Sequence, residues 1–192
     1  MSVRVAAING SPRKNGNTQL MLDAAVETMK SEGIDVEHIS LADHDIKPCD
    51  GCEMCNKEPW ACPIEDDAPK VLKKMVAADG ILMGSPVYFG GVTAQMKALF
   101  DRSAMPYKEM ELKDKVGGAL SCGGGLHGGQ ELTIWQIVTF FTMHDMIVAN
   151  SSGGLYGAMG VGNDRGDVRN DLEGLKSARN LGKRMVELLK SR

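Results

Sequence analysis

Val3–Ile8 (V-R-V-A-A-I), then Asn9–Thr18 (N-G-S-P-R-K-N-G-N-T), then an amphipathic run from about Thr18 to Glu32 decide the fold. The first stretch is a short apolar strand and the second a polar loop. The third carries Leu20, Met21, Ala24, Ala25, Thr28 and Met29 at steps of three and four, which is one face of a helix. The alternation continues down the chain. Asp35–Ser40, Gly80–Ser85, Lys115–Ser121 and Met146–Ala149 read as strands, with Ile81, Leu82 and Met83 contiguous, as in a strand buried on both faces. Helices are expected up to about Ala78, from Thr93 (as N-cap) to about Arg102, over Gln130–Met143, and from about Asp171 to Leu189. Five strands alternating with five helices specify an α/β three-layer sandwich: a five-stranded parallel sheet with helices on both faces.

Neither an internal repeat nor a linker divides the chain, so residues 1–192 read as one domain. Two stretches interrupt the pattern. One is an insertion at about 42–69; the other is glycine-rich, at about 151–170, and is expected to form an extended loop or lid.

Lysine and arginine number 22 against 25 acids, a net charge of −3, which gives no electrostatic case for nucleic acid or anionic membranes. No apolar run reaches the ~20 residues of a membrane helix. The start, MSVRVAAINGSP, lacks the features of a signal peptide, so cytoplasm is the expected compartment. Four of five cysteines, Cys49, Cys52, Cys55 and Cys62, fall within fourteen residues. A disulfide scaffold spreads its cysteines through a small secreted chain, whereas this clustering points to a metal or redox site.

In a parallel sheet of this kind ligands bind at the carboxyl ends of the strands, so the loops there carry the chemistry. Asn9–Thr18 joins a strand to a helix N-terminus, where free N–H groups attract an anion. Ser11, Asn15, Asn17 and Thr18 add hydrogen-bond donors, and Arg13 and Lys14 add positive charge. This is neither G-x-x-x-x-G-K-[ST] nor G-x-G-x-x-G, and it suits the terminal phosphate of a mononucleotide. A polar turn with a good helix cap is the alternative. Ser85–Gly91 (S-P-V-Y-F-G-G) sets Tyr88 and Phe89 beside glycines, either to pack on a flat heteroaromatic ring or to cover the core. Cys122–Gly129 (C-G-G-G-L-H-G-G) contains a literal G-x-G-x-x-G, but no acid ends the next strand to hold a ribose, so it is not a dinucleotide fingerprint.

Together, GSPRKNGNT, GSPVYFGGVTAQMKALFDR, GGQE-T and the cysteine cluster resemble the iron–sulfur flavoproteins of anaerobic archaea and bacteria. That family lies within the flavodoxin-like NAD(P)H-dependent FMN reductase superfamily. The resemblance covers nearly the whole chain. It implies a flavodoxin-like fold with FMN phosphate held by Ser11, Arg13, Asn15, Asn17 and Thr18. It also implies an isoalloxazine ring lined by Pro86, Val87, Tyr88, Phe89 and Gly90, with Cys122 and Gly123 nearby.

The cysteine spacing is C-x2-C-x2-C-x6-C, followed by Pro63. Three thiolates at steps of three, closed by a fourth, suit a [4Fe–4S] cluster, and the x6 gap fits the iron–sulfur flavoprotein pattern. Structural zinc favours two separated C-x2-C knuckles and suits this spacing less; redox thiols and unliganded cysteines are further alternatives. Acids dominate Asp43–Asp67, which predicts a low cluster potential. No acid–base or nucleophile set suggests hydrolysis, so no catalytic residue is assigned and the chemistry is the cofactor's. The expected protein couples a ferredoxin-like donor or NAD(P)H to reduction of a small oxidant. By resemblance it would be a homodimer or homotetramer. The rivals are a flavin-only NAD(P)H reductase with structural cysteines and a non-enzymatic flavodoxin-like electron carrier.

Overall fold

The computed structural model describes residues 2–151 and 156–192. Its elements run β1 (Arg4–Asn9), α1 (Asn17–Ser31), β2 (Asp35–Ser40), α2 (Met54–Lys57), α3 (Ala68–Ala77), β3 (Gly80–Pro86), α4 (Ala94–Arg102) and α5 (Ala104–Tyr107). Then come β4 (Val116–Gly123), α6 (Gln130–Met143), β5 (Ile147–Ala149), β6 (Ala158–Val161) and α7 (Leu172–Lys190), with single 3-10 turns at Leu41–Asp43 and Asp167–Asn170. All strand pairs are parallel, in the order β2-β1-β3-β4-β5, the flavodoxin-like arrangement.

Alternate residues of the strands feed two cores. Val5, Ala7 and Leu82 pack under α1 and α7, while Ala6, Ile8, Ile81 and Met83 pack under α3, α4 and α6. Both faces are therefore covered, and every residue of β4 is buried. The helix starts follow local chemistry. Thr93 Oγ1 accepts from Met96 N (3.3 Å), and Asp171 Oδ1 accepts from Gly174 N (2.9 Å). Among the described residues no helix is long and apolar enough to cross a membrane.

The sheet has six strands rather than five. β5 pairs with the first half of β4 (Val116–Gly118), and β6 pairs with the second half (Leu120–Gly123), so the two share one edge lane end to end. The stretch expected to be an extended loop thus contains a strand and a 3-10 turn; its positions 152–155 lie outside the described residues. Gly157 and Gly160 are packing positions. A Cβ on Gly157 would stand 2.4 Å from the Ala119 carbonyl oxygen, and one on Gly160 would stand 2.8 Å from Met21 Sδ. Two further short helices are present: α2 lies within the cysteine segment, which runs between β2 and α3, and α5 follows α4.

Candidate functional site

A groove of about 140 Å³, room for several waters, opens where β1, β3 and β4 end. Asn9, the last residue of β1, is buried and braces the first loop: its Oδ1 accepts from Ser11 N (3.0 Å) and its Nδ2 donates to Gln19 Oε1 (2.8 Å). Ser11 Oγ in turn accepts from Arg13 N (3.1 Å). The loop is tied to the sheet by Gly10 N donating to the Gly84 carbonyl (2.8 Å) and by Thr93 Oγ1 donating to the Gly10 carbonyl (2.7 Å). Asn15 takes the left-handed conformation (φ 53°) that turns the chain into α1. The N-cap, Gly16, has no side chain to cap the first-turn N–H groups of α1, which like those of any helix lack intrahelical partners. Ser11, Arg13, Gly16, Asn17 and Thr18 all line the groove, whereas Asn15 is exposed outside it.

Asn17 is committed elsewhere by its carboxamide. Its Nδ2 donates to the Asp164 carbonyl (2.8 Å), and its Oδ1 accepts from Gly166 N (2.8 Å) and Val168 N (3.4 Å). The side chain is therefore a clamp that draws the loop after β6 over the groove, bringing Gly162, Asn163 and Arg165 into its wall. Sequence reasoning missed those three residues and Gly124.

The second loop is a tight turn. Tyr88 and Gly91 exchange backbone hydrogen bonds (2.9 and 3.1 Å), with Phe89 at φ 50° and Gly90 at φ 78° between them, the pattern of a type I′ turn. Pro86, Val87 and Tyr88 line the groove. Phe89 is completely exposed at the tip, so it neither covers the core nor reaches the groove; Gly90 also stands outside. Val87 N donates to the Cys122 carbonyl (3.0 Å), joining this loop to the third.

Cys122 lines the groove, 4% exposed. Burial, aided by the negative charge of Asp171, pushes its thiol up to about 12, so it stays protonated and is no nucleophile. Gly123 is not in the wall; a Cβ there would meet Gln130, whose Nε2 bonds the carbonyls of Gly125 (2.8 Å) and Gly160 (3.3 Å). His127 is exposed at φ 58°.

The cysteine segment has a different character. Cys49 and Cys52 are exposed, and Cys55 and Cys62 are half-buried against the core under α3 and α4. Burial pushes the Cys55 thiol up, and charge on Cys49, Cys62 or Cys52 acts in the same direction. Among the described residues, however, no three His, Cys, Asp or Glu side chains converge on one metal-binding point. Trp60 anchors the loop's far side, its Nε1 donating to Glu111 Oε1 (2.6 Å).

The acids before α3 close the segment. Asp67 Oδ2 accepts from Asp45 N (3.0 Å), and Asp66 Oδ2 accepts from Lys47 N (2.9 Å). Asp66 also pairs with Arg102, and both side chains are buried. Burial alone would raise the Asp66 carboxyl, but hydrogen bonds from Arg102, Lys47 N and Ala68 N and the guanidinium charge hold it below the usual carboxylate range.

The residues present fit both groups that the resemblance implies. Free first-turn N–H groups, Ser11 and two arginines make an anion cradle. Four free thiols within fourteen residues have the donor chemistry that an iron–sulfur cluster needs.

The comparisons agree with this geometry. The family model described as NADPH-dependent FMN reductase matches residues 3–156. An iron–sulfur flavoprotein of Methanocaldococcus jannaschii is 52% identical over 190 residues, 98% of each chain. One of Methanosarcina thermophila is 41% identical over 151 residues, 78% of each chain. The solved structure of RosB with bound 8-demethyl-8-formylriboflavin-5'-phosphate superposes with a TM-score of 0.79 at 20% identity, covering 99% of this chain and 80% of that one, a likeness of fold. The chain belongs to the NADPH-dependent FMN reductase family of flavodoxin-like FMN-dependent oxidoreductases and, within it, to the iron–sulfur flavoproteins.

Proposed function

We propose that the chain is an FMN- and [4Fe–4S]-containing oxidoreductase that exchanges electrons between a two-electron and a one-electron couple. The observation that carries this reading is the pairing, on one chain, of an anion cradle with four free cysteines inside fourteen residues, the two regions touching through Lys14 Nζ and Asp43 Oδ1 (2.5 Å). FMN supplies one- or two-electron chemistry when bound and the cluster one-electron chemistry.

The chain's own residues do the rest. The N–H groups of the first turn of α1, with Ser11, Thr18, Arg13 and Arg165, hold the phosphate. Asn17 keeps the Arg165 loop over it. Asn15 acts through the turn it makes. Pro86–Tyr88 and the Cys122 loop line the ring, with Phe89, Gly90 and Gly123 supporting those loops. Cys122, held protonated, leaves no thiolate to react with the ring. Cys49, Cys52, Cys55 and Cys62 would ligate the cluster.

The donor in this reading is a ferredoxin-like protein or NAD(P)H, and the acceptor a small oxidant. The chain works in the cytoplasm as a homodimer or homotetramer, with no nucleic acid or membrane partner. A flavin-only reductase is the second reading, and it is favoured by the exposure of Cys49 and Cys52 and by the lack, among the described residues, of a point where three ligating side chains converge. An anaerobic absorption spectrum followed by steady-state turnover with NADH and NADPH separates the readings. Flavin bands above broad iron–sulfur absorption support the first. Flavin bands alone, with rapid nicotinamide turnover, support the second, and a reducible flavin without turnover identifies a carrier.

A further inference from the structure

Arg102 ends α4 and has no place in the flavin groove, yet it is among the most buried side chains in the molecule. Burying a guanidinium is very unfavourable unless its hydrogen bonds are met, so its partners define what it does. Nη1 pairs with Asp66 Oδ2 and donates to the Lys47 carbonyl (3.1 Å). Nη2 reaches Asp66 Oδ1 (3.1 Å), the Ile64 carbonyl (3.4 Å) and Cys62 Sγ (3.3 Å). Asp66 completes the knot by accepting from Lys47 N and Ala68 N (both 2.9 Å). One side chain thereby joins the chain entering the cysteine segment to the chain leaving it. Among the described residues, Cys62 is the one cluster cysteine that accepts a hydrogen bond from a charged side chain, and it is also the one separated from its fellows by the x6 gap.

We propose that Arg102 is a positioning residue for the iron–sulfur cluster: its Nη2 N–H fixes the Cys62 sulfur and sets a buried positive charge against the fourth ligand, raising the cluster's reduction potential. The inference rests on the cluster reading above. A hydrogen bond to a ligand sulfur and a nearby cation both favour the more negative, reduced cluster. Asp66 tempers that charge, but the guanidinium is in hydrogen-bond contact with the sulfur and the carboxylate is not. The acids of the segment act in the opposite direction, so Arg102 offsets the low potential that the sequence alone predicts.

The test uses the full chain purified anaerobically as wild type, Arg102→Lys and Arg102→Gln, with FMN, iron and sulfide counted per chain. Redox titration followed by EPR reads the cluster. FMN content is the folding control, since Arg102 is remote from the groove residues. In the Gln variant the reduced-to-oxidised cluster ratio at fixed potential is expected to fall about tenfold, a ~59 mV shift for one electron, with reduced iron content. The Lys variant, which keeps the charge without the fork, is expected to shift less. Unchanged iron content and midpoint in both variants, with FMN retained, overturn the proposal alone.

A second measurement needs no variant: wild type labelled with 15N-arginine, its cluster reduced, is read by pulsed EPR for a 15N coupling. The coupling is expected, and its absence from a reduced cluster overturns the proposal even if both variants misfold. A wild-type chain holding FMN without iron and sulfide overturns the cluster reading and the proposal with it.

Discussion

The loop Asn9–Thr18 and the segment 42–69 both lie at the carboxyl end of the sheet, but they are held by different physics. The first is short, buried at Asn9, Ser11, Gly16 and Thr18, and stitched into β3 and α4 by backbone and hydroxyl hydrogen bonds. Its shape follows from the fold, and it stands ready for an anion before one arrives. The second has one four-residue helix, exposes two of its four cysteines, and is closed at its base by the Arg102–Asp66 knot. The proposed flavin and cluster sites should therefore be separable by mutation, because only the first is built from the sheet itself.

The largest expected effect separates them outright. Cys52→Ala should abolish iron binding while leaving FMN content unchanged, as counted by metal analysis and flavin absorbance. Retention of full iron would remove Cys52 from the ligand set. Next comes the sheet's own acid limit, which the segment should not share. Burial lowers the His144 imidazole to about 4, while its Nε2 meets Ser103 Oγ (2.9 Å). In the unfolded chain the same group protonates near its ordinary 6.5. Stability is then full above pH 6.5 and falls by about 3 kcal/mol as the pH drops to 4, because the unfolded state takes up the proton first. Urea titrations of chain with and without iron should show the same loss, and His144→Phe should flatten it.

Asn17→Ala probes the flavin side more gently. It removes three hydrogen bonds to the loop that carries Arg165 and should destabilise the fold by about 1–2 kcal/mol. FMN binding should weaken about tenfold by fluorescence titration, with iron content unaffected. The smallest effect is expected where the two regions touch. Lys14 and Asp43 are largely exposed, so Asp43→Asn should leave the urea midpoint almost unchanged, with any shift seen only at low salt.

Much of this arrangement was legible in the sequence, and the rest was hidden for physical reasons. Strands buried on both faces, such as Ile81–Met83, declare themselves as apolar runs, and Thr93 marks its helix start by side-chain chemistry. β6 does not, because Gly157 and Gly160 give the same signal whether glycine serves a mobile loop or a close approach to Ala119 and Met21. Gly117 and Gly118 likewise make room in β4 for Phe141 and Met185 rather than for a ligand. Arg165 reaches the groove only through Asn17, far away in the chain. In sequence Arg102 carries only the signal of a cation at a helix C-terminus; its partners Asp66 and Cys62 are brought to it by the fold.

One measurement bears on the central claim directly: FMN, iron and acid-labile sulfide counted in the same anaerobically purified sample of the full chain. The account predicts one FMN with four irons and four sulfides per chain. One FMN with neither iron nor sulfide would contradict it and leave a flavin reductase whose four clustered cysteines hold nothing.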